Sequence, residues 1–364
     1  MGRTARQVFD LPEIRLRVTE HICVHHQCGC GHVSGGAFPE GVSAPVQYGP
    51  RVRALGLYLV AYQHLPYARA AQLLGDWIGA PVSTGTLAAF MVRGADDLQG
   101  FLDVVQARVT AAPVAHFDET GARAQGRLRW LFCASTDRAT YYSLHDKRGF
   151  DGLDHAGVLP NFTGIAVHDG FKPYRRYTQA GHALCNVHHL RELLGVIEQH
   201  PDGQQSWAVL IDQLLRDLNT TVDAAKSCSE DRLDPIVLAA YHAAYQQIIT
   251  LGNRQNPPPT VRTGKRGVIK KTPAANLLVR LDRDREQVLR FAHDFQVPFD
   301  NNLAERDIRM IKLQQKISGC WRTTSGAEQF LALRAYLSTA RKQRHHVLDA
   351  LTRLAARDPW IPAT

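Results

Sequence analysis

The stretch Val114–Thr120, VAHFDET, decides the fold, because it is an apolar run that ends abruptly in two carboxylates, Asp118 and Glu119. Burying an ionised carboxylate at the end of a core strand is costly unless a cation or hydrogen bonds compensate for the lost hydration. Acids at this position therefore require a physical reason, which the rest of the chain has to supply.

Two later stretches raise the same question. GIAVHDG ends a second apolar run in Asp169, and PFDNNLAERDIRMIK carries Glu305 close to the start of a helix. Two carboxylates held close together repel each other unless a divalent cation neutralises them. The sequence predicts that Asp118, Asp169 and Glu305 converge on Mg²⁺, which prefers hard oxygen ligands. Mn²⁺ is expected to be able to substitute for it.

Composition sets broad limits on the class of protein. The chain has 364 residues, of which 45% are hydrophobic and 21% charged, as in ordinary soluble proteins. It has no apolar run long enough for a membrane span, and its N-terminus lacks the apolar core of a secretory signal. Seven scattered cysteines favour reduced thiols in the cytoplasm. A net charge of +9 fits a polyanionic partner but fits a merely basic protein equally well.

Residues 1–50 contain a cluster of possible metal ligands, HICVHHQCGCGH. Thiolates and imidazoles suit tetrahedral zinc, so Cys23, Cys28 and Cys30 are candidate ligands of a degenerate zinc knuckle. The spacing is unfavourable, because one residue rather than two or more separates Cys28 from Cys30, and no second Cys-x-x-Cys follows. The alternative interpretation is a polar loop with unligated thiols.

Residues 51–110 have the apolar periodicity of helices. YARAAQLLGDWIG is followed by a turn around Gly79 and by a helix that Ser83 or Thr84 caps and that continues through TLAAFMVRGADDLQGFLDVV. This arrangement resembles a DNA-binding helix-turn-helix, in which Arg93 is the candidate base-reading cation. The alternative is a helical pair that only packs against the rest of the chain.

Residues 111–200 change to strand patterns and form the first part of a catalytic core. VAHFDET, LRWLFCAS and TYYSLH predict an antiparallel meander with turns at 121–127 and 136–138. A helical crossover through 148–159, a strand over 164–168, a short strand HALCNV and a helix from His189 follow. The fold class predicted is α/β, with a ribonuclease-H-like mixed sheet. Glu119 points to the opposite face of the strand from Asp118, so it is left out of the metal site.

Residues 201–272 predict amphipathic helices inserted between the second and third acids, and then a basic arm. The arm contains Lys265, Arg266, Lys270 and Lys271 and no acid. Such a segment is by default a solvated loop, but in a DNA enzyme it is a candidate for phosphate contacts.

Residues 273–364 form the C-terminal part of the core, with closing helices. Glu305, Arg309 and Lys312 fall on one helical face. On an isolated helix this face would be a ladder of salt bridges. Beside two strand-end aspartates, it indicates a metal ligand with two phosphate-binding cations.

Four stretches together carry a family resemblance. HFDETGARAQGRLRWLFCASTDRATYY, GIAVHDGFKPY, HALCNVHHLREL and VPFDNNLAERDIRMIKLQQKISGCWRTTSGAEQF resemble transposases of the insertion sequence 66 family, within the Asp-Asp-Glu superfamily. The resemblance runs from about Phe38 to Leu351. It implies that Asp118, Asp169 and Glu305 are the acidic triad, and that Cys185 and His188 form a Cys-x-x-His signature that supports the active site without holding a metal. Typical members have a longer N-terminal part with a fuller knuckle, so recognition of element ends stays open.

The resemblance implies a DNA transposase that uses two Mg²⁺ ions to cleave element ends and to transfer the strand into target DNA. Double-stranded DNA is the expected partner, with a homo-oligomer on DNA and accessory proteins encoded by the element also expected. Two alternatives remain. One is a metal-dependent nuclease of the same fold without strand transfer, and the other is a non-catalytic DNA-binding remnant.

Overall fold

The computed structural model describes residues 3–257 and 271–363. The chain divides into two compact units, Met1–Leu102 with Leu313–Thr364, and Asp103–Lys312. None of the helices in the described ranges combines the length and hydropathy that a membrane span requires.

The secondary structure of the described residues follows the chain in this order. The strands are β1 (His25–Gln27), β2 (Val33–Gly35), β3 (Val114–Ala124), β4 (Arg127–Ser135), β5 (Thr140–His145), β6 (Ile165–His168) and β7 (Gly181–Leu184). The α-helices are α1 (Pro50–Leu57), α2 (Tyr67–Ile78), α3 (Thr84–Asp96), α4 (Gln99–Thr110), α5 (Phe150–His155), α6 (Asn186–Gln199), α7 (Ser206–Ser227), α8 (Pro235–Gln255), α9 (Pro273–Arg283), α10 (Arg285–His293), α11 (Asn302–Ser318), α12 (Thr324–Lys342) and α13 (Val347–Ala355). A π-helical turn (Tyr58–Tyr62) and two 3₁₀ turns (Leu159–Asn161, Lys172–Arg176) complete them.

In the first unit, helix α1 packs against α3 and α13, and α12 packs against α3. Helix α12 is buried on nearly every side, as expected for a central helix. Tyr336 of α12 meets Phe101 edge-on, with ring centroids 5.0 Å apart, and its hydroxyl donates to the Ala350 carbonyl at 2.9 Å. The helices predicted for this region are present.

Two local signals determine where helix α2 ends and where helix α3 begins. Gly79 ends α2 in the left-handed conformation, with φ 66°, which a glycine adopts without steric cost. Ser83 caps α3 by accepting the Thr86 N–H at 3.0 Å. The single helix predicted after Ser83 is wrong, because α3 ends at Asp96 and a separate helix, α4, begins at Gln99.

The second unit is built on a mixed five-stranded sheet with the strand order β5-β4-β3-β6-β7. Strands β3, β4 and β5 pair antiparallel, whereas β6 is parallel to β3 and β7 is parallel to β6. The predicted α/β class and the predicted meander are confirmed. Strand β3 runs further than predicted, to Ala124, because Gln125 (φ 53°) and Gly126 (φ 71°) make a tight two-residue turn with both φ angles positive.

The segment after β6 differs from the expected strand over HALCNV. Strand β7 ends at Leu184, Cys185 precedes the helix in an extended conformation, and α6 begins at Asn186 rather than at His189. Hydrogen bonds to distant segments replace the strand pairing at this point. The backbone N–H of Asn186 donates to the Phe299 carbonyl at 3.0 Å, and its side-chain amide donates to the Val288 carbonyl at 2.9 Å.

The predicted helical insertion over 201–272 contains α7 and α8, and these helices, together with α9 and α10 that follow, share one hydrophobic core with the parallel edge of the sheet. Val167 of β6 and Leu184 of β7 belong to the same buried cluster as Trp207, Leu277 and Phe291. Within the basic arm, Lys265, Arg266 and Lys270 lie outside the described residues, and Lys271 is exposed just before α9.

Asn301, which precedes α11, is the buried polar residue that joins the separate parts of the second unit. Its side-chain amide donates to the Phe117 carbonyl of β3 at 2.8 Å, and its oxygen accepts the His116 Nδ1 proton at 2.9 Å. Its backbone N–H donates to the Cys185 sulfur at 3.2 Å. The side chain of Asn301 thereby fixes the start of α11 against the central strand, and its backbone N–H fixes it against the residue that precedes α6.

Replacing Asn301 by alanine should destabilise the protein by about 2–4 kcal/mol, because two buried groups of β3 lose their partner. The measurement is the free energy of unfolding in denaturant. Asn253→Ala, at an exposed position of α8, is the matched control and should change it by less than about 0.5 kcal/mol. Equal effects of the two substitutions would contradict the role given to Asn301.

Candidate active site

The two acids at the end of the opening stretch have different surroundings. His116 lies on the side of β3 where Asn301 and the start of α11 pack. Phe117, on the other side, packs against Phe162 and Tyr174, with ring centroids 5.4 and 6.4 Å away. Since side chains alternate along a strand, Asp118 follows His116 toward α11, and Glu119 follows Phe117 toward Tyr174.

Glu119 is satisfied within the protein. Its side chain is 1% exposed, and its Oε1 accepts hydrogen bonds from the Arg148 Nε at 3.1 Å and from a terminal guanidinium nitrogen of Arg148 at 2.9 Å. Its Oε2 accepts the Tyr174 hydroxyl at 2.6 Å. Burial raises the pKa of Glu119, and these two partners oppose the rise. The geometry gives Glu119 a structural role and agrees with leaving it out of the metal site.

Asp118 lacks such compensation. Burial, together with the nearby charges of Glu119, Asp169 and Glu305, raises the pKa of Asp118 to about 7, and the hydrogen bond from the Glu119 N–H opposes the rise. That hydrogen bond, at 2.9 Å, is formed with Oδ1. The carboxyl group of Asp118 is therefore placed where its charged form is unfavourable in the protein alone.

Asp169 lies beside Asp118 because of the strand register. Val114 pairs with Ile165 and His116 with Val167, so the same offset of 51 residues, continued past the last pair, sets Asp118 opposite Asp169. Asp169 is exposed, and its Oδ1 accepts the Phe171 N–H at 2.8 Å. The 51 residues that separate the two acids in the sequence thus equal the offset between paired residues of β3 and β6.

A chain of neutral imidazoles supports the turn that carries Asp169. The Gly170 N–H donates to His168 Nδ1 at 3.0 Å, so His168 Nε2 carries the proton and donates to His182 Nδ1 at 3.0 Å. His182 in turn donates from Nε2 to the Tyr177 carbonyl at 3.1 Å. Burial lowers the pKa of His168 to about 3, which keeps the ring neutral.

Glu305 lies in the first turn of α11, on the side that faces the start of α6. Its Oε1 is 3.8 Å from His188 Nε2, too long for a hydrogen bond. In the described part of the chain, this carboxylate oxygen is shielded from solvent and has no hydrogen-bond partner. Ala304, Ile308 and Ile311 are buried and form the apolar side of α11.

Among the described residues, one group of three metal-ligand side chains has all of its ligand atoms within 4.8 Å of one another, and it consists of Cys185, His188 and Glu305. The three acids do not form so tight a group, although Asp169 and Glu305 lie near enough to raise the pKa of Asp118. The Cys-x-x-His signature therefore lies beside the third acid.

The predicted phosphate-binding residues of α11 differ in their surroundings. Arg309 is exposed. Lys312 is half-buried, and its Nζ donates to the Gly121 carbonyl of β3 at 2.5 Å. This bond ties α11 to the far end of the strand that carries Asp118.

Sequence reasoning missed the two residues that hold α11 in place, Asn301 and Asp307. The Oδ2 of Asp307 accepts hydrogen bonds from the hydroxyls of Ser135 (2.7 Å) and Thr140 (2.9 Å), and its carbonyl accepts one from Tyr142 at 3.0 Å. A signal was present, since Asp307 is a second acid two residues after Glu305 and lies outside the predicted charged face.

The cysteine cluster of the N-terminal region lies on a small hairpin of β1 and β2. Cys28 and Cys30, in its turn, are joined by a disulfide, so the expectation of reduced thiols is wrong for this pair. The two cysteines are separated by one residue within the turn, with their Cα atoms 5.3 Å apart. Cys23 donates to the Gly36 carbonyl. Zinc at Cys23, Cys28 and Cys30 would require the reduced hairpin, and it stays a prediction.

Asp118→Asn should stabilise the protein at pH 8 by roughly 2–4 kcal/mol, because it removes a carboxylate whose charged form is disfavoured by burial and by like charges. A raised pKa means that the cost of ionising Asp118 grows as the pH rises from about 4 to about 7. The gain should therefore vanish near pH 4.

Thermal unfolding in the presence of a chelator at both pH values measures this difference. Asp169→Asn is the matched control, because the carboxylate is exposed, and it should change the stability by less than about 0.5 kcal/mol. A loss of stability in Asp118→Asn at pH 8 would show that the aspartate is held by interactions other than those described.

Comparison with known proteins places the chain in a family. The sequence pattern described as the Transposase IS66 family matches residues 45–329, which include β3 to α11 and all three acids. Comparison with curated proteins gives no match. Since the matched region covers most of the chain, the protein belongs to the IS66 family of transposases, DNA-processing enzymes whose partner is DNA.

Proposed function

We propose that this transposase is of the Asp-Asp-Glu type, with Asp118, Asp169 and Glu305 as its catalytic acids. In this proposal it cleaves phosphodiester bonds at the ends of its element and transfers the freed strand into target DNA. The observation that supports the proposal is the parallel pairing of β3 with β6, whose register, continued by two residues, would set Asp118 opposite Asp169, together with the charges of Asp169 and Glu305 acting on Asp118.

The proposal includes a ribonuclease-H-like core. Its support is the strand order β5-β4-β3-β6-β7, with three antiparallel strands followed by two parallel ones. In an open sheet with parallel strands, ligands bind at the carboxyl ends of the strands. Asp118 lies on the central strand just past its last residue paired with β6, and Asp169 directly follows β6, so both acids would lie where the parallel pairing ends.

The donor set fits divalent metal ions. Asp118 is a half-buried carboxylate surrounded by like charges, and Glu305 Oε1 is a shielded oxygen without a hydrogen-bond partner. Oxygen donors with uncompensated negative charge are the ligands that Mg²⁺ or Mn²⁺ prefers. Asp118, Asp169 and Glu305 would hold the ions, which when bound would activate the attacking water in cleavage or the 3′-hydroxyl in strand transfer and stabilise the leaving oxygen.

The remaining residues of the site would position the DNA and the acids. Arg309 is exposed on α11, where its charge is available to a phosphate. Lys312 and Asp307 would keep α11 aligned with the sheet through their bonds to Gly121 and to Ser135. Glu119 and Arg148 would stabilise the strand end rather than take part in the reaction.

Contacts with DNA outside this site are part of the proposal. Helices α2 and α3 would act as a helix-turn-helix, with Arg93 exposed on the second helix. The basic arm, which includes Lys271, would lie along phosphates. Processing two element ends favours a homo-oligomer on DNA, assisted by accessory proteins of the element.

The test is cleavage of a plasmid that carries the element's terminal inverted repeats, with and without Mg²⁺. Asp118→Ala, Asp169→Ala and Glu305→Ala should each lower the cleavage rate at least about 100-fold, because each removes a metal ligand. Glu198→Ala, at an exposed carboxylate of α6, is the matched control and should cleave at the wild-type rate. Wild-type cleavage by any one of the three variants removes that residue from the proposed site.

Two further arms separate the alternatives. Pre-cleaved ends should be joined to target DNA by the wild type, and cleavage without joining would identify a nuclease. DNA binding without any cleavage, unchanged by Asp118→Ala, would identify a non-catalytic remnant.

A further inference from the structure

The cluster of Cys185, His188 and Glu305 has a ligand set that differs in kind from the three acids. Its ligand atoms, a sulfur, an imidazole nitrogen and a carboxylate oxygen, lie within 4.8 Å of one another. Mg²⁺ prefers oxygen ligands, whereas sulfur and imidazole select borderline transition metals such as Zn²⁺ and Co²⁺. Three protein ligands with a fourth position left open are typical of non-structural zinc sites.

The polar atoms of the cluster are poorly satisfied by the protein itself. Glu305 Oε1 and His188 Nδ1 are both shielded from solvent and have no hydrogen-bond partner among the described residues. His188 Nε2 and Glu305 Oε1 are 3.8 Å apart. A nitrogen and an oxygen that bind one tetrahedral zinc ion at about 2.0–2.2 Å lie roughly 3.3–3.6 Å apart. The observed separation is too long for a hydrogen bond, and a shift of a few tenths of an ångström would bring both atoms onto a shared ion.

Burial and the nearby charge of Glu305 raise the pKa of the Cys185 thiol in the protein alone, whereas two features of its position would stabilise a metal-bound thiolate. The sulfur accepts the Asn301 N–H at 3.2 Å, and Cys185 immediately precedes the first turn of α6. A backbone N–H donor and the positive end of a helix both stabilise negative charge on sulfur. Asn301 is in turn held by β3, so the sulfur is oriented from outside the cluster, as metal ligands usually are.

We propose that Cys185, His188 and Glu305 bind one borderline divalent transition-metal ion, with Zn²⁺ as the reference ion. On binding, the Cys185 thiol releases its proton to solvent, and the thiolate and the Glu305 carboxylate balance the two positive charges of the ion. The proposed Mg²⁺ site uses the same Glu305 carboxylate as a ligand, so the two metals compete for it. The binding stands without the proposed function, whereas the competition rests on it.

The binding is tested with Co²⁺, which has the ligand preferences of zinc and gives an ultraviolet charge-transfer band when a thiolate binds it. Titration of the reduced, metal-free full chain should produce this band, and one equivalent of Zn²⁺ should abolish it. Cys185→Ser should remove the band, and Glu305→Gln should keep it but weaken Co²⁺ binding at least about tenfold, the effect of one lost ligand interaction.

Two controls separate this site from other thiols. A variant with Cys23, Cys28 and Cys30 replaced by serine removes the N-terminal cluster, and Cys228→Ser removes an exposed thiol. Both should retain the band. Circular dichroism verifies that Cys185→Ser is folded, and if it is not, His188→Ala takes its place with the same tenfold loss expected. Absence of the band in the wild type, or its survival in Cys185→Ser, overturns the proposal.

The competition is tested in the plasmid cleavage assay with Zn²⁺ added at several Mg²⁺ concentrations. Inhibition by Zn²⁺ should weaken in proportion as Mg²⁺ rises, and inhibition independent of Mg²⁺ overturns the competition. If the wild type shows no cleavage at all, the proposed function fails, but the Co²⁺ band still decides whether the site exists.

Discussion

The second unit depends on the hydrogen bonds of one buried amide, Asn301. Buried polar groups need hydrogen-bond partners. The side chain of Asn301 finds two of them on β3, and its backbone N–H donates to the Cys185 sulfur. These partners lie 185, 184 and 116 residues away along the chain. Since leaving any of them unpaired is costly, the start of α11 has one acceptable position. The place of Glu305 follows from that position.

The difference between Asp118 and Glu119 illustrates how a fold assigns roles to identical chemistry. Both carboxylates are substantially buried, but Glu119 receives hydrogen bonds from Arg148 and Tyr174, whereas Asp118 receives one from its neighbour's backbone N–H. Compensation makes the first a structural group, and its absence leaves the second with a charge that an external cation can offset. Because side chains alternate between the two faces of β3, Glu119 lies among its hydrogen-bond partners on one face, whereas Asp118 lies on the other face with its charge uncompensated.

The sequence was sufficient for features that depend on local periodicity. Strand alternation separated Asp118 from Glu119, and the step to Asp169 equals the register of the parallel ladder. The extension of β3 was missed, because Gln125–Gly126 resembles an ordinary loop until both residues are seen with positive φ. Asp307 and Asn301 were missed because side-chain bonds to distant strands leave no periodic trace. The proximity of Cys185 to Glu305 likewise depends on packing.

The shared core of the sheet edge and the inserted helices has a consequence for how the chain is made. Val167 and Leu184 share their core with side chains that follow both of them by more than a hundred residues, such as Phe291. During synthesis the apolar side of β6 and β7 therefore leaves the ribosome well before α10 can cover it. Until then the nascent sheet presents an uncovered apolar face, which is prone to association with other chains. The core on this side of the sheet is completed only after α10 has been synthesised.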